Sequence, residues 1–419
     1  MKKYFILSVF LSFALFVCAQ NSSEELAFYQ KQAQNATRPI QKVLVNNLQN
    51  WLEANSSSLQ ANRALILKAN LERNLKEYPE SLISLLKYKY AFGTTEKTNI
   101  QNILKDDAKN FARSEQEAYN HLINAKVPQT ELPERIDTFL TLATKANIKG
   151  TYEPLIKEYN AFLNRFKDYE EIDRMELMLG DLHRSNKNPY AALMQYEKVW
   201  EVYPNTKYKA ASLRMQGDVY ASDLKDYDKA KNIYTQVLND FPTTVERPTV
   251  YYHIALMEDT QKQYHEALDH LGFAAKLYQE QGDSNSLYDV LLFKSEIQEK
   301  RLKDYEGAAK TLNQMATLFK NKEDKFREVQ FKLANIYHSK LKDSSLERKA
   351  YEDFLRTYPN SKKADEALFE AANLAKEAGE YDLAANYLEK LIVNNPDSDY
   401  AGKAQRQLNS LNKKIAKSK

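Results

Sequence analysis

Cysteine is all but missing from this chain. Cys18 is the one instance, so no internal disulfide can form and no paired-cysteine metal site exists. Glycine is scarce too, with 9 in 419 residues, which leaves few loops able to bring backbone close to a phosphate. Neither a Gly-x-x-x-x-Gly-Lys loop nor a nucleophile elbow occurs. Charge of a single sign is absent: 60 Lys and Arg face 57 Asp and Glu, a net of +3, without the concentrated basic face that nucleic-acid binding requires. Long apolar runs are lacking as well. The longest, Tyr4 to Val17, falls short of the ~20 residues that span a bilayer.

That short run has a reading of its own. Lys2 and Lys3 precede it and Val17-Cys18-Ala19 follows, which is the layout of a secretory signal peptide cut before Gln20. The mature protein is then exported and has no thiol, with 58 basic against 57 acidic residues. A lipid-acceptor role for Cys18 is the other reading, but Leu15, Phe16 and Val17 stand where bacterial lipoproteins resemble Leu-small-small-Cys.

What the chain does have is a repeat. Ala192 is followed by Tyr196 and Tyr203-Pro204, Ala230 by Tyr234 and Phe241-Pro242, Ala384 by Leu388 and Asn395-Pro396. Ala267 with Leu271, Ala308 with Leu312, and Glu347 with Tyr351 and Tyr358-Pro359 continue the register, in steps of 38, 37, 41, 39 and 37 residues. Upstream of these lie Leu179-Gly180, Gly217 with Tyr220, and Leu333-Ala334 with Tyr337. Two helices per unit follow: small residues let the paired helices approach, large ones four positions on fill the gap to the next unit, and proline ends the second helix. Turn-like stretches separate the two, as at Lys225-Asp226-Tyr227-Asp228 and Lys303-Asp304-Tyr305-Glu306.

These residues resemble the tetratricopeptide repeat (TPR) family. The resemblance covers roughly residues 131–410 and implies an all-α solenoid, a right-handed superhelix of antiparallel helix pairs. Two departures stand out. The units exceed the family's 34 residues, and Gln279 and Lys320 occupy places expected for proline. Residues 133–167 read as a degenerate earlier unit, since Tyr159, Phe162 and Phe166 repeat the spacing of Tyr351, Phe354 and Tyr358. The expected organisation is a signal peptide over 1–19, an N-terminal helical region over 20–130, the repeat array over 131–410, and a basic tail over 411–419. Within 20–130 helices are expected at Ile40 to Trp51, Leu59 to Tyr78 and Ile100 to Ile123, broken near Asn55-Ser56-Ser57-Ser58, Gly93-Thr94-Thr95 and Pro128 to Pro133.

Catalytic chemistry finds little support. His265-Glu266-Ala267-Leu268-Asp269-His270 looks like a zinc-protease helix, but that motif needs histidines four apart. Five residues turn the second by about 140° on a helix, and Ala267 already serves the repeat. The scattered acids, such as Glu170-Glu171 and Asp365-Glu366, read as solvated helix faces. No cofactor, metal or enzymatic activity is expected.

Function is therefore expected on the inner face of the first helix of each unit, which the family resemblance places in the groove. One column there is Leu177, Arg214, Tyr252, Leu292, Phe331 and Phe369, and one turn later come Asp181, Asp218, Leu256, Glu296, Asn335 and Asn373. Tyr252, Phe331 and Phe369 are the binding candidates, because aromatics in a groove anchor peptides. Packing between neighbouring helices is their other reading. Asn335, His338 and Asn373 flank the last two and could hydrogen-bond an extended backbone. The Lys/Asn carboxylate clamp of chaperone-binding members is not recognisable.

Tyr358-Pro359-Asn360-Ser361-x-x-Ala364-x-x-Ala367 and Asn395-Pro396-Asp397-Ser398-x-x-Ala401-x-x-Ala404 look like those of envelope proteins in outer-membrane assembly and cell-division coordination. The resemblance implies a non-enzymatic scaffold of a Gram-negative-type envelope, periplasmic, outer-membrane-associated or secreted, that binds a protein or peptide partner. Membrane contact is at most peripheral: Lys413, Lys414, Lys417 and Lys419 read first as a solvated fraying end, and as a source of weak adhesion second. A carbohydrate-binding outer-membrane protein on similar repeats is the alternative, and an enzyme with its site in residues 20–130 is a third class.

Overall fold

Among the described residues, 22–55, 60–92 and 97–418 of a computed structural model, the chain is helical throughout and contains no strand. The expected signal peptide, Cys18, Lys419, Ser56 to Ser58 of the first expected break and Gly93 to Thr95 of the second lie outside them. The helices are α1 (22–33), α2 (Arg38–Ala54), α3 (Ala61–Leu75), α4 (Tyr78–Phe92), α5 (Lys97–Asp107), α6 (Gln116–Asn124), α7 (Leu132–Ala146), α8 (Tyr152–Arg165), α9 (Ile172–Ser185), α10 (Pro189–Val202), α11 (Lys209–Asp218), α12 (Tyr227–Asp240), α13 (Arg247–Thr260), α14 (Tyr264–Gln281), α15 (Ser284–Glu296), α16 (Tyr305–Leu318), α17 (Glu323–Ile336), α18 (Ser344–Thr357), α19 (Asp365–Glu377), α20 (Tyr381–Asn394) and α21 (Ala401–Ser418). They fall into two units, Met1–Ile233 and Tyr234–Lys419, with the boundary inside α12.

Within each unit, consecutive helices pack as hairpins, and the repeat residues lie inside the hairpins. Ala192, Ala230, Ala267, Ala308 and Ala384 are fully buried, as are Tyr196, Tyr234, Leu271 and Leu388. Gly180 shows why the facing helix needs a small residue. A Cβ there would stand 2.6 Å from Cδ1 of Tyr196 and closer still to Cε1. Glu347, the exception in the alanine row, is also buried, and its carboxylate meets Nδ1 of His338 at 3.0 Å.

Each hairpin turns on a left-handed residue placed five positions before the small residue: Lys187, Lys225, Lys262, Lys303, Lys342 and Gly379, with φ between 57° and 79°. The next residue begins the second helix, and its side chain caps it at Asn188, Asp304 and Asp343, which accept from Ala191 N, Gly307 N and Leu346 N. An αL residue followed by a short polar cap is how one helix stops and the next starts within a few residues. The same offset occurs earlier, at Lys76 ahead of the buried Ser81.

The steps longer than 37 residues have a structural origin. Three first helices end in a π turn, at Val219–Leu224, Ile297–Leu302 and Tyr337–Leu341. The closing bond then reaches six residues back, from Asp226 N to Tyr220 O (2.8 Å), Asp304 N to Gln298 O (2.8 Å) and Asp343 N to Tyr337 O (3.0 Å). Where Gln279 replaces proline, α14 simply runs on for 18 residues and stops at Gly282, φ 73°. Successive units are tied by the Ser or Thr of the turn motif: Thr206 donates to Asp173 and Ser398 to Asp365, each at 2.6 Å, and Ser361 to Glu323.

One expected helix ends early and another is divided. The segment Leu59 to Tyr78 stops at Lys76, whose φ of 65° closes α3 before α4 begins. The segment Ile100 to Ile123 breaks around Phe111, which turns onto the Tyr119 ring at 4.7 Å while the Tyr119 hydroxyl donates to Leu104 O at 2.7 Å. At Phe111 a tertiary contact outweighs local periodicity. At the other end, α21 carries Lys413, Lys414 and Lys417 on helix.

Candidate functional site

The six candidate residues all lie in the second unit, on α13, on α17 and the turn after it, and on α19. Tyr252 is half-buried and meets Phe293 of α15 edge-on, with ring centres 6.1 Å apart. Phe331 is also half-buried, edge-on to Tyr351 of its own hairpin at 5.2 Å, with the Arg327 guanidinium 4.6 Å over its ring. Phe369 is only 8% exposed and lies 5.0 Å from Tyr400. The three aromatics thus all serve packing, and Tyr252 and Phe331 retain exposed surface as well.

The polar candidates differ in the same way. Asn335 is exposed. His338 is exposed too, yet its Nδ1 is engaged with the buried Glu347, so it compensates an acid in the alanine row. Asn373 accepts from Gln407 Nε2 of α21 at 3.0 Å and donates to Glu370 at 3.2 Å.

Phe331 and Asn335 share a shallow depression of about 500 Å³ with Asp324, Arg327, Glu328 and Lys332. All six sit on α17, because residues three, four and seven apart share one helix face. Arg327 reaches Glu366 of α19 at 3.4 Å, and Lys363 pairs with Asp324, so the rim is bridged to the next hairpin. Chemically this is an apolar ring surrounded by paired charges of both signs. It suits a peptide segment that offers one apolar side chain between polar ones.

In the first unit the corresponding positions are different in kind. Leu177 is buried, and Arg214 pairs with Asp218, whose backbone carbonyl also accepts from Arg184 at 3.2 Å. Arg184 extends to Asp223 at 2.7 Å. Asp181 accepts from the Tyr196 hydroxyl at 2.6 Å, and burial holds its carboxyl above the usual range. These charges satisfy one another.

Arg327 and Lys332 line this depression but were not among the sequence candidates, although Arg327 stands one turn before Phe331 and was open to the same spacing argument. Of the protease-like pair, His265 is exposed and His270 meets the buried Glu258 carboxylate through Nδ1 at 2.7 Å.

Two families match parts of the chain. The outer membrane lipoprotein family YfiO matches residues 285–419, and a tetratricopeptide repeat family matches residues 211–244. No curated protein matches. Among solved structures, PilF of Pseudomonas aeruginosa is 19% identical, covering 56% of this chain and 97% of its own, with a TM-score of 0.33. A TPR protein of Parabacteroides merdae is 15% identical over 70% of this chain and 98% of its own, with a TM-score of 0.34. The C-terminal part of a TPR protein of Cytophaga hutchinsonii is 14% identical over 64% of this chain and 98% of its own, with a TM-score of 0.41. With the tetratricopeptide repeat match at 211–244 and the match to the outer membrane lipoprotein family at 285–419, this all-α stack of helix hairpins resembles the tetratricopeptide-repeat proteins of the bacterial envelope.

Proposed function

We propose that the protein is a non-enzymatic interaction scaffold of the bacterial cell envelope, exported, and that it binds a partner protein or peptide through the α17 face of its second unit. The observation that supports this reading most is the depression around Phe331, where a partly exposed aromatic sits among Arg327, Lys332 and Asn335. It lies within the stretch similar to the outer membrane lipoprotein family. Tyr252 on α13 and Phe369 and Asn373 on α19 act as the packed flanks of that face, and His338 as its edge. Such a site offers an anchor for one apolar side chain and complementary charges for its neighbours.

The test is photo-cross-linking in intact cells from a probe at Asn335, with a probe at the exposed Lys390 of α20 as control. A defined envelope protein captured from position 335 only, and lost when Phe331→Ala and Arg327→Ala are combined in a protein that still folds, is the expected result. Equal capture from both positions, or capture unchanged in the double variant, would place the binding surface elsewhere.

A further inference from the structure

Helix α21 carries charge of one sign only. From Ala401 to Ser418 it holds Lys403, Arg406, Lys413, Lys414 and Lys417 and no aspartate or glutamate, in a chain whose acids and bases otherwise nearly cancel. At ~100° per residue, Lys403, Arg406, Lys413 and Lys414 fall within a single arc of ~100°. The buried positions, Ala404, Leu408 and Leu411, centre ~140° away from that arc. All four cations are exposed, in a row ~16 Å long.

The helix is held in place without the help of these charges. Its buried face packs on α20, and Gln407 Nε2 donates to Asn373 of α19 at 3.0 Å. The Lys403 ammonium lies 5.6 Å over the Tyr400 ring and that of Lys414 5.4 Å over the Tyr381 ring. A neutral ring orients a cation but leaves its charge in place. Among the described residues, Lys403, Arg406 and Lys413 form no ion pair. The nearest acids along the chain, Asp397 and Asp399, sit ahead of the helix N-terminus, where the macrodipole favours them. That dipole acts within the first and last turns. Lys403 stands in the first turn against its sign, and Arg406, Lys413 and Lys414 lie between the two, so the dipole accounts for none of the four.

Between the cations the exposed side chains are polar: Gln405, Asn409, Ser410 and Asn412. A protein partner is gripped by buried anchors seated in pockets, and a convex row of this kind supplies neither apolar anchor nor walls. It suits instead a plane of anionic head groups, whose attraction adds up over several cations and needs no matching shape. We propose that α21 docks the protein onto a bilayer surface carrying anionic lipid, with Lys403, Arg406, Lys413 and Lys414 against the head groups and no segment inserted. Each cation contributes about 5-fold in affinity, and the attraction fades as salt shortens its range. The α17 face and its partner play no part, so the docking surface stands or falls independently of the scaffold reading.

The test is co-sedimentation of the purified full chain with vesicles of phosphatidylcholine, alone or with one-third phosphatidylglycerol, at about 0.1 M and about 0.5 M salt. Binding is expected to the anionic vesicles only, and to be lost at the higher salt. Lys403→Gln, Arg406→Gln, Lys413→Gln and Lys414→Gln combined should weaken it by at least about 50-fold. The control combines Lys310→Gln, Lys320→Gln, Lys349→Gln and Lys390→Gln, exposed positions of the same unit, and changes net charge equally. It should bind within about 3-fold of wild type, since these lysines lie off the row. Should the α21 variant not fold, Arg406→Gln with Lys413→Gln is read the same way, with a loss of about 10-fold or more. No binding to anionic vesicles, equal binding to both lipids, unaltered binding in the α21 variants or an equal loss in the control would overturn the proposal. Binding of polyglutamate without binding of vesicles would assign the row to an acidic protein segment and overturn it as well.

Discussion

At the scale of single residues, the fold rests on steric exclusions more than on strong bonds. Gly180 faces the Tyr196 ring so closely that one added methyl must displace it. Gly180→Ala is therefore expected to destabilise the first unit by about 1–3 kcal/mol through overpacking, read as a lower denaturant midpoint at unchanged helicity. His270 gives a pH-dependent case. Its hydrogen bond to Glu258 raises its pKa above the ordinary value. A raised folded-state pKa means that the stabilisation is complete below the unfolded value of ~6.5 and fades as pH rises through the folded one. The denaturant midpoint of wild type relative to His270→Gln should thus fall as pH is raised from about 6 to 8. A difference independent of pH would mean that the hydrogen bond does not favour the protonated imidazole. The small residues were legible in the sequence because their spacing recurs. The Glu258–His270 and Glu347–His338 pairs were not, since each joins side chains 9 or 12 positions apart whose meeting depends on how a hairpin closes.

At the scale of the helix hairpin, the left-handed residue is the decisive element. Five of the six repeat turns carry lysine there and one carries Gly379. An L residue in this conformation costs roughly 1–2 kcal/mol, whereas glycine gives up about 0.5–1 kcal/mol through its larger unfolded-state freedom. Lys303→Gly is accordingly expected to stabilise the second unit by up to about 1 kcal/mol. Gly379→Ala, with open space where its Cβ would go, should cost about 1 kcal/mol from conformation alone. Opposite shifts in melting temperature for the two variants check the argument. The turns themselves were visible as Lys-Asp-Tyr stretches. Their π turns were not, because a one-residue expansion leaves the apolar periodicity on either side nearly intact. Nor was the stop at Lys76 itself, since Pro79 marks the end of α3 only three residues later.

At the scale of the whole molecule, stability should be distributed as in other stacked repeats, where each hairpin rests on its neighbours. Leu312 is 1% exposed within α16. Leu312→Ala should cost about 2–5 kcal/mol, and hydrogen exchange should show protection lost first in α15, α16 and α17, with the first unit the least affected. Uniform loss along the chain would indicate a single cooperative core instead. The sequence by itself determined that the protein is an all-α stack of TPR-like hairpins, because a register of small and large residues that recurs every 37 to 41 positions can be satisfied only by repeating one packing unit. It also put Phe331 and Asn335 on one helix face, which spacing alone settles, while their place in a groove came only from the family resemblance. Tertiary structure alone decided that Phe369 is buried against Tyr400 and that Asn373 is held by Gln407, while Phe331 keeps an open side beside Arg327. The physical reason is that periodicity fixes which face of a helix is apolar, whereas the width of the gap between two such faces is set by side chains far apart in the chain.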